Sequence, residues 1–265
     1  MNGTSVIRHT KTARASLSVC PQFTAIDSQL SVWEHLVVYG RLKGLPKGEI
    51  LDRNIDVILK ATSLGQYRDR FANKLSGGNQ RTLSLAIALI GNPLVLLIDE
   101  FSTGIDARMK REMWNTLRNV APGKAIVITT HSMEEVSALA TDVGILAKKL
   151  LATGTPQALS ERYATYEVHF ACRSREGVAK AQALMAKVPG ARLADDVATR
   201  FEVPIRKGAD GDGLTLAELF RVLGDSEDLT EHTVEKAGLE SIFMKVIREN
   251  RVAEEDVRRR KWRLC

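Results

Sequence analysis

The chain has 265 residues, of which 44% are hydrophobic, so it is long enough for one large domain or two modest ones with a proper core. This composition excludes a disordered protein. No run approaches the ~18 consecutive apolar residues that a membrane-spanning helix needs, and polar residues dominate Met1 to Ser16, where a signal peptide would be apolar. We therefore expect a soluble protein of the cytosol.

The cysteines and the distribution of charge further limit the class of protein to which this chain can belong. Cys20, Cys172 and Cys265 are scattered and odd in number, which argues against a disulfide framework or a metal cluster. Half of the net charge of +6 lies in the last fifteen residues, 251–265, which carry six basic and three acidic side chains. This basic tail could touch anionic lipid headgroups or nucleic acid, although a solvated terminus is the simpler interpretation.

The first elements in chain order are a short β-type run and three helices. The run Leu17–Cys20 is followed by a helix that begins at Ser31, where Glu34 completes a capping box. A second helix is predicted over Lys47–Ser63. The segment Leu83–Ile90 is apolar on nearly every face, which indicates a buried helix.

A second group of elements alternates between strand and helix. Leu94–Ile98 is short and continuously apolar, which is typical of a strand buried on both faces of a parallel sheet. The pattern recurs at Ala125–Thr129, after a helix over Met109–Val120. It recurs again at Val143–Leu146, after a helix opened by a capping box of Ser132 and the glutamate three positions later. This alternation predicts an α/β layered domain.

Beyond about Tyr166 the pattern changes to that of a second, small α+β domain. Alternating runs at Tyr166–Ala171 and Arg200–Ile205 predict strands, and an edge strand is predicted over Asp228–Glu235. The predicted helices of this domain are Glu176–Lys187, Thr215–Leu223 and Leu239–Glu249.

The run Leu75–Asn79, with the sequence Leu-Ser-Gly-Gly-Asn, directly precedes the predicted buried helix. Backbone N–H groups there are unpaired donors at the positive end of a helix dipole, where phosphate binds readily. Gly77 and Gly78 permit close approach of a ligand oxygen, and the Ser76 hydroxyl can add a hydrogen bond. Taken alone, the run could equally be a loop before a helix.

Polar residues end three of the β-type runs. Asp99, after the apolar run from Leu94, can hold Mg²⁺ through water, and Glu100 can orient or deprotonate an attacking water. His131 closes the next strand and so reaches the same sheet edge, where we expect it to converge with the two acids. Gln22, at the end of the first run, can supply an amide to a metal or water. Each residue alone could be structural.

Taken in order, these residues resemble the ATP-binding cassette (ABC) family, and the match extends from Leu17 to about Leu159. The corresponding motifs are the Q-loop at Gln22, the signature Leu75–Asn79, Walker B at Leu94–Asp99, the catalytic glutamate Glu100, the D-loop Ser102–Asp106 and the switch histidine His131. The segments Val19–Gln22, Glu34–Leu45 and Leu75–Arg81 look like the A subfamily, the mostly lipid-moving exporters.

The resemblance implies a P-loop NTPase-like α/β cassette with a parallel sheet over residues 1–160, with a helical subdomain at about 30–92. A small α+β regulatory domain would cover 161–250 and the basic tail 251–265. The expected ligands are ATP and Mg²⁺, and the expected partners are a second cassette and the transmembrane domains of a transporter. Lipid would reach only the membrane domain, the chain would sit at the cytosolic face of a membrane, and no nucleic acid is expected.

In this family two cassettes pack head to tail, so the resemblance divides the site residues between two nucleotides. Ser76, Gly77 and Gly78 would contact the nucleotide on a partner's Walker A loop. Gln22, Asp99, Glu100 and His131 would serve this chain's own loop, with Asp99 and Gln22 reaching Mg²⁺ through water. Asp106 of the D-loop belongs to the same nucleotide-binding set.

One motif of the family is not found among the 265 residues, namely the Walker A sequence Gly-x-x-x-x-Gly-Lys-Ser/Thr. The lysines and glycines of Lys43–Gly48 have the wrong spacing to replace it. We therefore expect a cassette that is incomplete at the N-terminus, is inactive alone and exposes apolar flanks of Leu94–Ile98. Phe101 stands where the family usually has proline, and we expect it at the edge of the site.

Three functions remain open at this point. The first is a cassette ATPase fragment of an A-type lipid exporter. The second is a non-catalytic half-cassette that donates its signature to a partner. The third is a soluble ABC-type ATPase of DNA repair or translation, which the absence of coiled-coil heptads and the membrane-coupling pattern of Gln22–Leu45 disfavour.

Overall fold

The computed structural model describes residues 3–194, 197–206, 213–224 and 229–250. Contacts within the chain divide it into two compact units, the first ending at Leu139 and the second beginning at Ala140, whereas the sequence predicted a boundary near residue 160. The basic tail and Asp228, the first residue of the predicted edge strand, lie outside the described residues.

The first unit combines six helices with three strands. In chain order these are α1 (Thr10–Ala15), β1 (Leu17–Cys20), α2 (Val32–Leu42), α3 (Glu49–Ala61), α4 (Gly77–Leu89), β2 (Val95–Asp99), α5 (Ala107–Val120), β3 (Ala125–Thr129) and α6 (Met133–Leu139). The strands pair in parallel in the order β1-β2-β3, so the predicted α/β layered architecture is confirmed.

Only one face of this parallel sheet is well covered. Leu96 and Ile98 of β2 are buried, and they belong to the core cluster that also holds the apolar side of α4. On the opposite face, Val19 and Val127 flank Leu97 in register and are 53% and 55% exposed. The prediction that β2 is buried on both faces is therefore wrong, because a continuously apolar run does not reveal which faces its neighbours cover. The separate expectation that apolar flanks of Leu94–Ile98 are exposed is confirmed at Leu94 and at the neighbouring strands.

Helix α4 begins earlier than the sequence indicated. The signature glycines Gly77 and Gly78 form its first turn instead of a loop, because the hydroxyl of Ser76 caps the helix by accepting from the Asn79 N–H at 3.2 Å. The predicted capping box of α2 is present, with Ser31 N–H donating to Glu34 Oε2 at 2.7 Å. Phe101 is 1% exposed and lies in the core, which corrects its expected place at the site's edge.

The capping box predicted for α6 is not formed. The Glu135 N–H donates to the Ser132 backbone carbonyl at 3.1 Å. Both carboxylate oxygens of Glu135 are buried, and neither has a hydrogen-bond partner within the described part of the chain. The pattern Ser-x-x-Glu is short, so it also occurs where the glutamate side chain turns inward.

Two polar side chains fix the segments around β1. Lys43 donates to the Ala88 and Ile90 carbonyls, at 3.0 and 2.9 Å, and to the Ser18 hydroxyl, so a cation ties the C-terminal end of α4 to β1. Lys43 is exposed as a residue, yet desolvation of its ammonium group lowers its pKa to about 8. Buried His35 accepts from the Asp27 N–H at 2.9 Å and therefore donates through Nδ1 to the Ser31 carbonyl at 2.7 Å.

The second unit contains a β-hairpin and a four-stranded antiparallel sheet. Its elements are β4 (Val143–Leu146), β5 (Leu150–Gly154), α7 (Pro156–Arg162), β6 (Thr165–Cys172), α8 (Arg175–Met185), β7 (Arg192–Leu193), β8 (Arg200–Pro204), α9 (Leu216–Gly224), β9 (Leu229–Lys236) and α10 (Leu239–Glu249). The sheet order is β7-β8-β6-β9. Residues of β6, β8, α8 and α9 share one apolar cluster, whereas α10 clusters with the hairpin and α7.

The strand at Val143–Leu146 does not extend the parallel sheet as predicted. It pairs with β5 in an antiparallel hairpin, and a backbone hydrogen bond of 3.1 Å between Ala147 N–H and the Lys149 carbonyl closes the turn. A connection this short is compatible only with antiparallel pairing. Apolar periodicity predicts a strand but not its partner, which explains the error.

Two buried glutamates face each other across β6 and β8. Glu167 lies opposite Glu202 in register and is paired with Arg200 at 2.7 Å. Glu202 is 3% exposed and is paired with Arg192 at 3.2 Å and with Arg248 of α10. Each carboxylate thus has its own arginine, which offsets the cost of burying like charges on adjacent strands.

No described helix of either unit combines the length and apolar character that crossing a membrane requires.

We predict that the two faces of the parallel sheet differ in their contribution to stability. Leu96→Ala should lower the free energy of unfolding by about 3 kcal/mol, because it leaves a cavity in a buried site. Val127→Ala should cost less than about 1 kcal/mol, because that side chain is half exposed. Urea unfolding followed by tryptophan fluorescence tests this, since Trp33 and Trp114 both lie in the first unit. Equal losses would contradict the description of the sheet.

A second prediction concerns acid stability of the second unit. Burial raises the pKa of Glu167, but hydrogen bonds from Ser241 and Arg200 and the charge of Arg200 outweigh this, so the pKa lies below its ordinary value. The resulting stability is present above the unfolded pKa and is lost as pH falls through the folded pKa. Glu167→Gln should therefore flatten the loss of stability between neutral and acidic pH, in denaturant unfolding followed by circular dichroism.

The exposed Glu231 of β9 offers the matched control, since Glu231→Gln makes the same chemical change at the surface. Its pH profile should follow that of the unmodified chain. Identical profiles for the Glu167 and Glu231 variants would refute the assignment.

Candidate functional site

The candidate site is built around a sharp backbone turn at the end of β2. Glu100 has a φ of +42°, in the left-handed region that residues other than glycine seldom adopt. Its N–H donates to the Thr129 carbonyl of β3 at 3.0 Å. Backbone strain of this kind persists only where surrounding contacts hold it, and it is concentrated at functional sites.

Three side chains meet at this turn. Gln22 Nε2 donates to Glu100 Oε2 at 2.8 Å, and His131 Nδ1 lies 3.3 Å from Glu100 Oε1. The side chains of Glu100 and His131 are 31% and 63% exposed, so the cluster is open to a ligand from solvent. The predicted approach of His131 to Glu100 is thus present, and the Gln22 amide joins them. Such a carboxylate can orient or deprotonate a water, with the histidine as a hydrogen-bonding neighbour.

Asp99 precedes this turn and is exposed at the end of β2. One of its carboxylate oxygens accepts from the Thr129 hydroxyl, which lies opposite it in the sheet register. In the described residues there is no group of three His, Cys, Asp or Glu side chains that could hold a metal ion. A single exposed carboxylate fits Mg²⁺, which keeps several waters and takes further oxygens from substrate phosphates. Since the Gln22 amide nitrogen is bound to Glu100, its amide oxygen remains for a metal or a water.

The signature forms a second, separate group of residues. Gly77 is exposed, and a Cβ added to it would meet no atom within 4 Å. At Gly78 such a Cβ would lie 3.3 Å from Met109 and 3.6 Å from Ile105, so its open side is already taken by this chain's own D-loop and α5. The open surface therefore lies at Ser76 and Gly77, and the first-turn N–H groups of Gly77 and Gly78 have no intrahelical partner.

Asp106 has a structural role in this fold. Its carboxylate caps α5 by accepting from the Met109 N–H at 2.9 Å. None of its recorded contacts involves Gln22, Glu100 or His131. The nucleotide-binding role that the resemblance implies for Asp106 stays a prediction.

Two residues of the site escaped the sequence reasoning. Thr129, noted only as a strand end, binds both Asp99 through its hydroxyl and Glu100 through its carbonyl. Arg81 of α4 donates to the carbonyls of Pro21 and Glu100. The available signal for Arg81 was that it is the one charged residue of α4.

Burial raises the pKa of Cys20 to about 11, although the charge of Arg81 acts in the opposite direction. The Cys20 thiol is therefore protonated at neutral pH and behaves as an apolar core residue, since a thiol reacts as its thiolate.

Comparison with known proteins supports the reading of these motifs. A family model described as ABC transporter matches residues 1–103. A solved structure described as "Structure of ATP binding subunit of ABC transporter" aligns with a TM-score of 0.54 over 62% of this chain and 68% of that chain. At 21% identity, this match shows a common fold.

Several curated relatives are similar over most of the chain. ABC transporter A family member 6 of Dictyostelium discoideum is 31% identical over 250 residues, or 93% of this chain. ATP-binding cassette sub-family A member 7 of Rattus norvegicus is 32% identical over 91% of it. The retinal-specific phospholipid-transporting ATPase ABCA4 of Bos taurus is 42% identical over 61% of it. The chain spans only 15%, 11% and 7% of these proteins, respectively.

The fold, the ordered motifs and the family match define a nucleotide-binding domain of the ATP-binding cassette type. This chain is an ABC transporter nucleotide-binding domain, and its homologues belong to the A subfamily. The resemblance drawn from the motifs is therefore confirmed.

We predict that Ser76 stabilises the signature turn as a helix cap. Ser76→Ala should lower the free energy of unfolding by about 1 kcal/mol, because the Asn79 N–H loses its acceptor. Gly77→Ala should change it by less than about 0.5 kcal/mol, since the added methyl meets open space and alanine favours helix. Tryptophan-monitored urea unfolding measures both. A neutral Ser76→Ala would show that the cap hydrogen bond contributes nothing.

Proposed function

We propose that this chain is the ATP-binding and ATP-hydrolysing cassette of an A-subfamily transporter, and that it energises the movement of a lipid across a membrane. The convergence of Gln22, Glu100 and His131 at the carboxyl edge of the parallel sheet carries this proposal. The printed names of relatives, which include a phospholipid-transporting ATPase, support lipid as the transported class.

In this proposal each residue of the cluster has a separate task. Glu100 orients and deprotonates the attacking water. His131 forms a hydrogen bond on the side of the site that faces the γ-phosphate. Gln22 binds the metal or the water through its amide oxygen. Bound Mg²⁺ supplies charge neutralisation at the phosphates, and Asp99 is the residue that would hold it through water.

The signature is proposed to serve a different nucleotide. Ser76 and Gly77 are exposed at the start of α4, where N–H groups and the helix dipole favour an anion. They would contact the γ-phosphate of ATP held by a second cassette. Gly78 contributes indirectly, because it packs on Met109.

The proposed partners follow from this division. They are a second cassette, which supplies the nucleotide opposite Ser76, and the transmembrane domains of the transporter, which place this chain at the cytosolic face of a membrane. No nucleic acid is expected. The half-cassette that only donates its signature is the second candidate, and the exposed Gly77 is compatible with it.

We predict that the 265-residue polypeptide alone does not turn over ATP, because these residues contain no loop to cradle the phosphates. Phosphate release with Mg²⁺ and ATP should equal that of Glu100→Gln. Mg²⁺-dependent turnover that Glu100→Gln abolishes would defeat the prediction.

A pull-down with an intact A-type cassette tests signature donation, which both candidates share, whereas ATP turnover is the property that separates them. Signature donation requires association that depends on ATP and is lost in Ser76→Arg. Ser28→Arg is the matched control, because Ser28 is also an exposed serine of the first unit. Association that is the same with and without ATP, and that Ser76→Arg does not reduce, would exclude signature donation.

A further inference from the structure

Arg81 links the signature helix to the site around Glu100. It lies in the second turn of α4 and is half-buried. Its Nη1 donates to the Pro21 carbonyl at 3.2 Å, and its Nη2 donates to the Glu100 carbonyl at 3.5 Å. One guanidinium therefore binds the backbone of the loop after β1 and that of the turn after β2.

These two carbonyls lie next to the contact that forms the candidate site. The Pro21 carbonyl belongs to the peptide group that it shares with Gln22, and the other carbonyl is that of Glu100 itself. The side chains of Gln22 and Glu100 meet at 2.8 Å. Arg81 thus binds the backbone beside Gln22 and that of Glu100, the two residues whose side chains form this hydrogen bond.

The turn at Glu100 requires such support. Its φ of +42° is strained for a residue with a side chain. Its N–H is held by the Thr129 carbonyl, whereas its carbonyl accepts only from Arg81 and, at 3.4 Å, from the Thr103 N–H among the recorded contacts. The Arg81 contact is therefore a charge-assisted part of what holds the turn.

We propose that Arg81 is a positioning residue that keeps Gln22 and Glu100 together and transmits displacement of the signature helix to them. The inference rests on the proposed function, in which Ser76 and Gly77 contact a partner's nucleotide. Ser76 and Arg81 are five residues apart, which is about 7.5 Å along a rigid helix. A shift of the helix start thus moves the guanidinium and both carbonyls that it binds.

The chemistry favours arginine over lysine at this position. The guanidinium has several donors in a fixed planar fork, so it can hold two carbonyls at once. Lysine keeps the charge but presents a point donor on a flexible stem. Arg81→Lys should therefore still position Gln22 and Glu100 in part. Arg81→Met should lose this positioning while keeping a side chain of similar length.

The first experiment uses the purified chain and hydrogen exchange at the amides of Glu100 and Thr103. Arg81→Met should accelerate exchange at both by about tenfold, because a hydrogen bond to a charged donor is lost. Arg81→Lys should fall between this variant and the unmodified chain. Arg53→Met is the control, since Arg53 pairs only with Glu49 at the exposed surface of α3.

The amide of Thr62, which donates to the Ile58 carbonyl at 2.9 Å, reports general destabilisation of the first unit. Acceleration at Glu100 and Thr103 with an unchanged Thr62 supports the positioning role. Unchanged exchange at Glu100 and Thr103 in Arg81→Met overturns it, and so does equal acceleration at all three amides.

The second experiment adds an intact A-type cassette and ATP. In the unmodified chain, ATP-dependent association should change exchange at Glu100 and Thr103. Arg81→Met should still associate but show no such change. Association without a change in the unmodified chain overturns transmission through Arg81. Absence of ATP-dependent association overturns the proposed function instead, and the exchange of the free chain still decides whether Arg81 holds the turn.

Discussion

The left-handed turn at Glu100 is the constraint on which the rest of the site depends. An extended residue there would continue β2, but a φ of +42° ends the strand and brings the carboxylate against Gln22 and His131. The parallel register of β2 and β3 fixes this turn, because Thr129 of β3 accepts from the Glu100 N–H and also binds Asp99. The geometry of the Gln22, Glu100 and His131 cluster is therefore a consequence of how β2 and β3 pair.

Helix α4 connects this turn to the signature. Its first turn presents Ser76 and Gly77 to solvent, its middle packs in the main core of the first unit, and its C-terminal carbonyls are held by Lys43. A helix fixed at its end and buried along its length behaves as a rigid body. Arg81 projects from this helix and binds the Pro21 and Glu100 carbonyls, so the signature and the Gln22–Glu100 contact are joined by one helix.

The two faces of the parallel sheet have unequal cover. One carries the core, whereas Val19 and Val127 stand about half exposed on the other. Three parallel strands with one open apolar face are unusual, since parallel sheets are normally covered on both faces. The second unit differs, because it buries the charged side chains of Glu167 and Glu202. Arginines from β7, β8 and α10 pair with these two carboxylates.

The sequence by itself determined the family, the main alternation of strands and helices and the arrival of Glu100 and His131 at one sheet edge, because motif spacing and strand ends are local properties. It also determined the capping box of Ser31 and Glu34, which depends on neighbouring residues. Only the tertiary structure decided that Val143–Leu146 joins a hairpin, that Phe101 is core and that Arg81 binds two carbonyls distant in sequence. These facts depend on which segments meet in space, and periodicity in one segment carries no information about its partner.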